Sequence, residues 1–463
     1  MNNQEEVYAA HWDAAKGWEF LCTLFLAAVC YFLAPVSLAE PARRVLFIFV
    51  IAALFWALEV IPLYATSLII IILEILLLCR PGGIMGMNES GYNIFLVPFG
   101  SSIIILFFGG FILAQALQKY HLDEWIARHL LKLFGSKPYF LMLGFMITTA
   151  FLSMWMSNTA TTAMMLAMVL PLLKQLDHKD HFRTALILAI PFAANVGGMG
   201  TPVGTPPNAI AIGILADNGV YLNFIAWMKM AVPLVIVILF IISLILLMLF
   251  PSKNKEIIFT IKEREKFDSK SKFVGLISIF TVLLWLTSSF HKIPSAVVAL
   301  LSVGLFFITG LLDKEDFKEI SWDVLILMWG GLALGKGMEI SGLTKWTIGL
   351  PLFQQHGFLL VAMFCFLAII LSTFISNTAT ANLLIPVVMA IPKEDPVVLA
   401  TVVALGCSLA MALPVSTPPN AMAFSSGMLK SRDMMLSGII VSAISAILIL
   451  IGFQFVITKV IGG

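Results

Sequence analysis

The sequence predicts an all-α polytopic membrane protein of about 11 transmembrane helices plus two re-entrant helical hairpins, arranged in two inverted repeats. Three observations predict it. The 463 residues are 60% hydrophobic and only 12% charged, with a mean hydropathy of +1.00; soluble domains carry about a quarter charged residues. Apolar runs recur from Trp18 to Ile461, each long enough to cross a hydrocarbon core of ~30 Å. The cluster Ser-Asn-Thr-Ala-Thr stands twice, from Ser157 and from Ser376.

Taken in order, residues 1–17 form a polar leader without the basic region and cleavage site of a signal peptide, expected to be cytoplasmic. Single spans are expected at 18–38, 45–61, 63–79, 94–117, 184–215, 222–250, 273–290, 294–312, 322–340, 397–429 and 433–460. The apolar stretches 138–173 and 355–391 are too long for one crossing and are broken mid-way by the Ser-Asn-Thr tips. Each is expected to enter the membrane, turn and leave on the same side; two short full crossings are the alternative. Hairpins place loops 119–137, 174–183, 251–272, 311–320 and 430–432, which hold most of the Lys and Arg, on the cytoplasmic side. Arg43 and Arg44 fall on the opposite side and do not fit. The segment 118–136 mixes charges with apolar residues at near-helical spacing and reads as an amphipathic surface helix; 343–355 is its weaker counterpart.

The polar segment 251–272 divides the chain into halves that repeat one another. Gly109 and Gly330, Ser157 and Ser376, and Thr205 and Thr417 head matching motifs 221, 219 and 212 residues apart. Such duplication, inverted by an odd number of crossings, is a signature of secondary transporters.

The polar motifs carry the chemistry. A backbone broken at membrane depth must be satisfied by protein or line a wet cavity. Ser157-Asn158-Thr159 and Ser376-Asn377-Thr378 are residues that cap a helix N-terminus. In "GTPPNAIAI" and "STPPNAMAF", Thr205 and Thr417 are expected N-caps, with Pro206 and Pro418 at the first helical position. Four helix N-termini would then converge. Their free N–H groups attract anions, and unwound backbone offers carbonyls to a hard cation such as Na⁺. No Lys or Arg lies in the tips, so a dianion there needs dipoles and bound cations for compensation. Glu59, Glu74 and Glu339 are the acids within spans, expected in interfacial or packing roles, and Lys336 is expected to reach the interface.

Two paired "SNT" tips, each followed by a "TPPN" break, resemble the divalent anion:sodium symporter family over nearly the whole chain. The resemblance implies a homodimer in the cell inner membrane, with scaffold segments 18–137 and 273–354 and transport segments 138–250 and 355–463, moving elevator-fashion. It implies substrate binding by Ser157, Asn158, Thr159, Ser376, Asn377, Thr378, Thr205, Pro206, Thr417 and Pro418. It implies sodium sites at Ser153, Ser157, Asn158 and Gly204, and at Ser372, Ile375, Asn377 and Ser416. The substrate class it implies is a small dicarboxylate, with sodium-independent exchange and citrate transport as alternatives within the family.

Other classes fit poorly. The seven histidines fall outside the spans, and no metalloprotease, serine-hydrolase, Walker A or Rossmann motif is present. An enzyme or an ATP-driven pump is therefore not expected. A channel would need a continuous pore that plugged repeats do not offer. The five cysteines are scattered without a CxxC pair and read as buried hydrophobes. The net charge of +2 gives no sign of a nucleic-acid partner.

Overall fold

The computed structural model describes residues 14–80, 82–86, 90–177, 179–257, 268–350, 357–391 and 394–453. Most of the leader, residues 258–267 of the central polar segment and the end of the second expected surface helix lie outside them. Among the described residues every regular element is helical.

The first third holds α1 (Ala14–Leu33), α2 (Glu40–Leu58), α3 (Leu63–Glu74), α4 (Asn93–Leu96), α5 (Ser102–Lys119) and α6 (Leu122–Leu131). Then come α7 (Pro138–Ser153), α8 (Asn158–Gln175), α9 (Phe182–Gly198), α10 (Pro206–Asp217) and α11 (Phe224–Leu249). The second half holds α12 (Ser269–Leu286), α13 (Ser288–His291), α14 (Ser295–Ile308), α15 (Lys314–Lys318), α16 (Trp322–Ser341) and α17 (Leu343–Ile348). It ends with α18 (Phe358–Phe374), α19 (Asn377–Val388), α20 (Pro396–Cys407), α21 (Pro418–Ser425) and α22 (Ser431–Gly452).

Seven helical stretches are long and apolar enough to cross a membrane, and six further apolar helices are 10–17 residues long. The expected spans 184–215 and 397–429 are each two helices, α9 with α10 and α20 with α21, interrupted at 199–205 and 408–417. Gly200, Pro202 and Gly204 lie in the first interruption and Pro414 in the second; glycine is a poor helix former and proline cannot extend the ladder of helical bonds. The expected hairpins are helix pairs, α7 with α8 and α18 with α19, each joined at its Ser-Asn-Thr tip. The amphipathic segment is helical over a shorter range than expected, Leu122–Leu131, because Gly135 takes a positive φ and Pro138 opens α7.

Inside lipid, helices gain little from burying apolar surface against one another, so close approach does the work. At Gly197 of α9, a Cβ would stand 2.4 Å from the Ala150 backbone of α7, and only glycine lets these helices meet. α9 packs against α7, α8, α11 and α21; α16 packs against α3, α10 and α19. Of the interfacial and packing roles expected for the span acids, Glu74 takes the packing one. It is fully buried, and neither carboxylate oxygen has a hydrogen-bond partner among the described residues. The carboxylate lies over Gly337 of α16, where a Cβ would be 2.0 Å away.

At one end of the molecule the halves are tied by charge. Lys119, closing α5, pairs with Asp316 at 2.5 Å and Asp313 at 3.1 Å, and Gln115 donates to Glu319 at 2.7 Å. Asp313 and Asp316 also form a reciprocal capping box at the start of α15.

Candidate functional site

Each tip builds itself from local chemistry. Ser157 precedes α8 and its Oγ accepts from the Ala160 N–H at 3.2 Å; Ser376 does the same for Ala379 at 3.2 Å. Behind each cap stands a second serine. Ser153 Oγ is 2.6 Å from Asn158 Oδ1 and 2.8 Å from the Ala194 carbonyl oxygen. Ser372 Oγ is 2.6 Å from Asn377 Oδ1 and 2.7 Å from the Cys407 carbonyl oxygen. A hydroxyl carries one proton, so each cluster holds three oxygens and one proton. Ser153 and Ser372 are both fully buried.

The breaks are held by a residue type the motif reading left without a role. Asn208, the last residue of the first TPPN, sets its Nδ2 3.0, 3.2 and 2.8 Å from the carbonyls of Gly198, Met199 and Thr201. Asn420, its counterpart, donates to Leu413 O at 3.1 Å. Each asparagine folds back to satisfy backbone that the helix has released. Trp227 adds a bond from Nε1 to Met199 O at 3.0 Å. The breaks also lean on the tips: Thr201 donates to Met154 O and Ser416 to Thr373 O, at 2.5 and 2.8 Å.

Thr417 caps α21 as expected, accepting from Asn420 N–H at 3.3 Å, with Pro418 first in the helix. Thr205 stands at the matching place before Pro206, but its side chain makes no capping bond. The asymmetry has a cause in α9. Asn195 Nδ2 donates across to Thr417 Oγ1 at 3.2 Å and holds that hydroxyl in place. The matching place in the other half is Ser408, one residue past the Cys407 carbonyl that answers the Ala194 carbonyl, and its hydroxyl has no hydrogen-bond partner among the described residues.

These elements surround a cavity of about 710 Å³. Ser157, Asn158, Thr159, Gly204, Thr205, Pro206, Ser376, Asn377, Thr378, Ser416, Thr417 and Pro418 all line it. Ser153 and Ser372 lie behind the wall, and Ile375 ends α18 without reaching the cavity. The sequence reading missed Asn195, Tyr64 and Asp323, which also line it. Asn195 had a visible signal, an amide inside an apolar run; Asp323 had none. The N-termini of α8, α10, α19 and α21 all open onto this space, and their dipoles favour an anion there. No Lys, Arg or His is among the described lining residues, and Asp323 is the one charged group. The Asn158 amide oxygen and the Gly204 carbonyl converge over Gly198, 2.5 and 3.0 Å from where a Cβ would stand.

A second cavity of about 230 Å³ lies at the other end of α10, α16 and α19, lined by Asp217, Lys336, Glu339 and Lys345 among others. Lys336 donates to Glu339 at 2.8 Å there and does not reach the main cavity.

An all-helical bundle of membrane length, with helices that break and begin around one cavity edged by serine, asparagine and threonine, defines a multi-pass membrane transport protein. The family model for the sodium:sulfate symporter transmembrane region matches residues 14–460, and the chain belongs to that family of transporters, as the paired motifs indicated; it is not an enzyme. It is 34% identical to the sodium-dependent dicarboxylate transporter SdcS of Staphylococcus aureus, over 95% of this chain and 90% of that one. It is 32% identical to SdcS of Staphylococcus saprophyticus, over 92% and 88%. Two solved structures share the fold at 13% identity. The Alcanivorax borkumensis transporter YdaH has a TM-score of 0.58, covering 96% of this chain and 98% of that chain. Neisseria gonorrhoeae MtrF has a TM-score of 0.54, covering 93% and 96%.

Proposed function

We propose that this protein carries small dicarboxylates of the succinate, malate and fumarate type together with sodium. The observation that carries the reading is the pair of oxygen clusters behind the tips. Each has more lone pairs than protons, which suits a hard cation. A sodium ion held by Ser153, Ser157, Asn158 and Gly204, and another by Ser372, Ile375, Asn377 and Ser416, would add positive charge beside four helix N-termini. That compensates a dianion in a cavity without basic side chains. Asn158, Thr159, Asn377 and Thr378 contact the carboxylates, and the Thr-Pro pairs at 205–206 and 417–418 close the pocket. The S. aureus and S. saprophyticus relatives are named sodium-dependent dicarboxylate transporters, which supports the same substrates here.

On this reading α7–α11 and α18–α22 form a transport domain with two re-entrant hairpins, and α1–α5 and α12–α16 form a scaffold. The two halves are inverted repeats, and α6 and α17 are arms between the domains. The transport domain slides past the scaffold, in a homodimer in the cytoplasmic membrane. Radiolabelled succinate uptake into proteoliposomes tests it. Uptake driven by an inward sodium gradient, and absent with potassium, is the expected result. Uptake that needs internal dicarboxylate and ignores sodium would make the protein an exchanger.

A further inference from the structure

α16 and α19 run side by side in the same direction, both starting at the main cavity. Asn382 lies five residues into α19, where the first copy of the motif has Ala163, so the tip itself does not require it. It is fully buried. Its Nδ2 donates to the Leu327 carbonyl, inside α16, at 3.0 Å. Its Oδ1 has no donor among the described residues. A Cβ built on Gly331 of α16 would stand 1.8 Å from that Oδ1. One turn further, Gly335 meets Pro386, with a built Cβ 3.3 Å from its Cγ and 3.6 Å from its Cβ. Two side chains four apart on α19 therefore seat in two glycine notches four apart on α16.

We propose that Asn382 is a positioning residue: it seats α19, and with it the Asn377 tip, in one register on α16, and its bond to Leu327 breaks as the site changes sides. The inference rests on the sliding motion proposed above. One satisfied donor and one orphaned acceptor make a contact that is specific yet strained, which suits a seat vacated in every cycle. A shift of one turn, ~5.4 Å, brings Asn382 opposite Gly335, a notch of the same kind.

Paired cysteines at Gly335 and Pro386 test both layers. The 3.6 Å separation fits a disulfide. With Cys22 and Cys30 replaced by serine, oxidation is expected to cross-link the pair and stop succinate uptake, and reductant to restore it. Undiminished uptake by fully cross-linked protein would show that α19 does not move along α16, which removes the sliding motion and this inference together. In Asn382→Ala the cross-linking rate is expected to fall and turnover to change, with KM unaltered. Gly331→Ala is expected to slow turnover about tenfold through overpacking, and Gly331→Ala with Asn382→Ala to recover most of it. Wild-type cross-linking and turnover in Asn382→Ala, with no recovery in the double variant, would overturn the positioning role and leave the sliding motion standing. Should Asn382→Ala fail to fold, Asn382→Ser, which keeps a donor in less space, carries the same readouts.

Discussion

Asn158 and Asn377 each present an amide oxygen to a serine hydroxyl 2.6 Å away and stand first in a helix that opens on the cavity. Asn158→Ala and Asn377→Ala are each expected to abolish uptake while leaving a monodisperse, folded protein. Normal uptake by the pair of variants would remove both from the site. Asp323 acts in the opposite sense. It lines the cavity proposed to hold the dicarboxylate and makes no ion pair among the described residues. Asp323→Asn is expected to lower KM for succinate, measured from the side the cavity opens to, by about threefold, because one repulsive charge is gone. The tips were legible because capping is local: the residues that cap are neighbours in sequence of the groups they satisfy. Asp323 was not legible. Its place in the cavity wall depends on how α16 packs, and no spacing in the sequence records that.

Among elements, the two broken helices give a controlled comparison. Thr417 caps α21 and is held by Asn195; Thr205 precedes α10 without a capping bond. Thr417→Val is expected to cost about 1 kcal/mol of stability, read as a lowered thermal midpoint in detergent. Thr205→Val is expected to cost clearly less. The positions of both breaks were readable, since each TPPN motif sets a proline where it opens a helix well and continues one badly. What bridges them was not. Asn208 and Asn420 stood in plain view in both copies of TPPN, but the carbonyls they satisfy lie back within the break and at the end of α9. Glu74 shows the same limit: a span-end acid by sequence, it is buried by α16 because Gly337 leaves room for it.

For the whole molecule, the tie between halves has a defined pH response. Hydrogen bonding from Lys119, then from the Asp316 and Glu315 backbone N–H groups, holds the Asp313 carboxyl below the usual aspartate range. Its contribution is therefore present above the ordinary aspartate pKa of about 3.9 and lost as pH falls through the lowered value. The thermal midpoint difference between wild type and Asp313→Asn is expected to close in that acid window. Sodium is expected to raise the midpoint at neutral pH where potassium does not, because the proposed sites exist only in the folded clusters; Asn158→Ala should reduce that shift. The helical fold and the order of its elements were legible from hydropathy and the repeat. The pairing of Lys119 with residues almost 200 positions later was not, because charge sign alone names no partner.

None of the described lining residues that α8, α10, α19 and α21 contribute to the cavity is ionisable. If these elements ride across the membrane, an empty site carries no net charge through the field. Membrane voltage, worth ~2.3 kcal/mol per charge per 100 mV, then acts on the loaded form alone. The direction of the current during uptake becomes a count: inward when the sodium ions outnumber the charges of the dicarboxylate, and zero when they match.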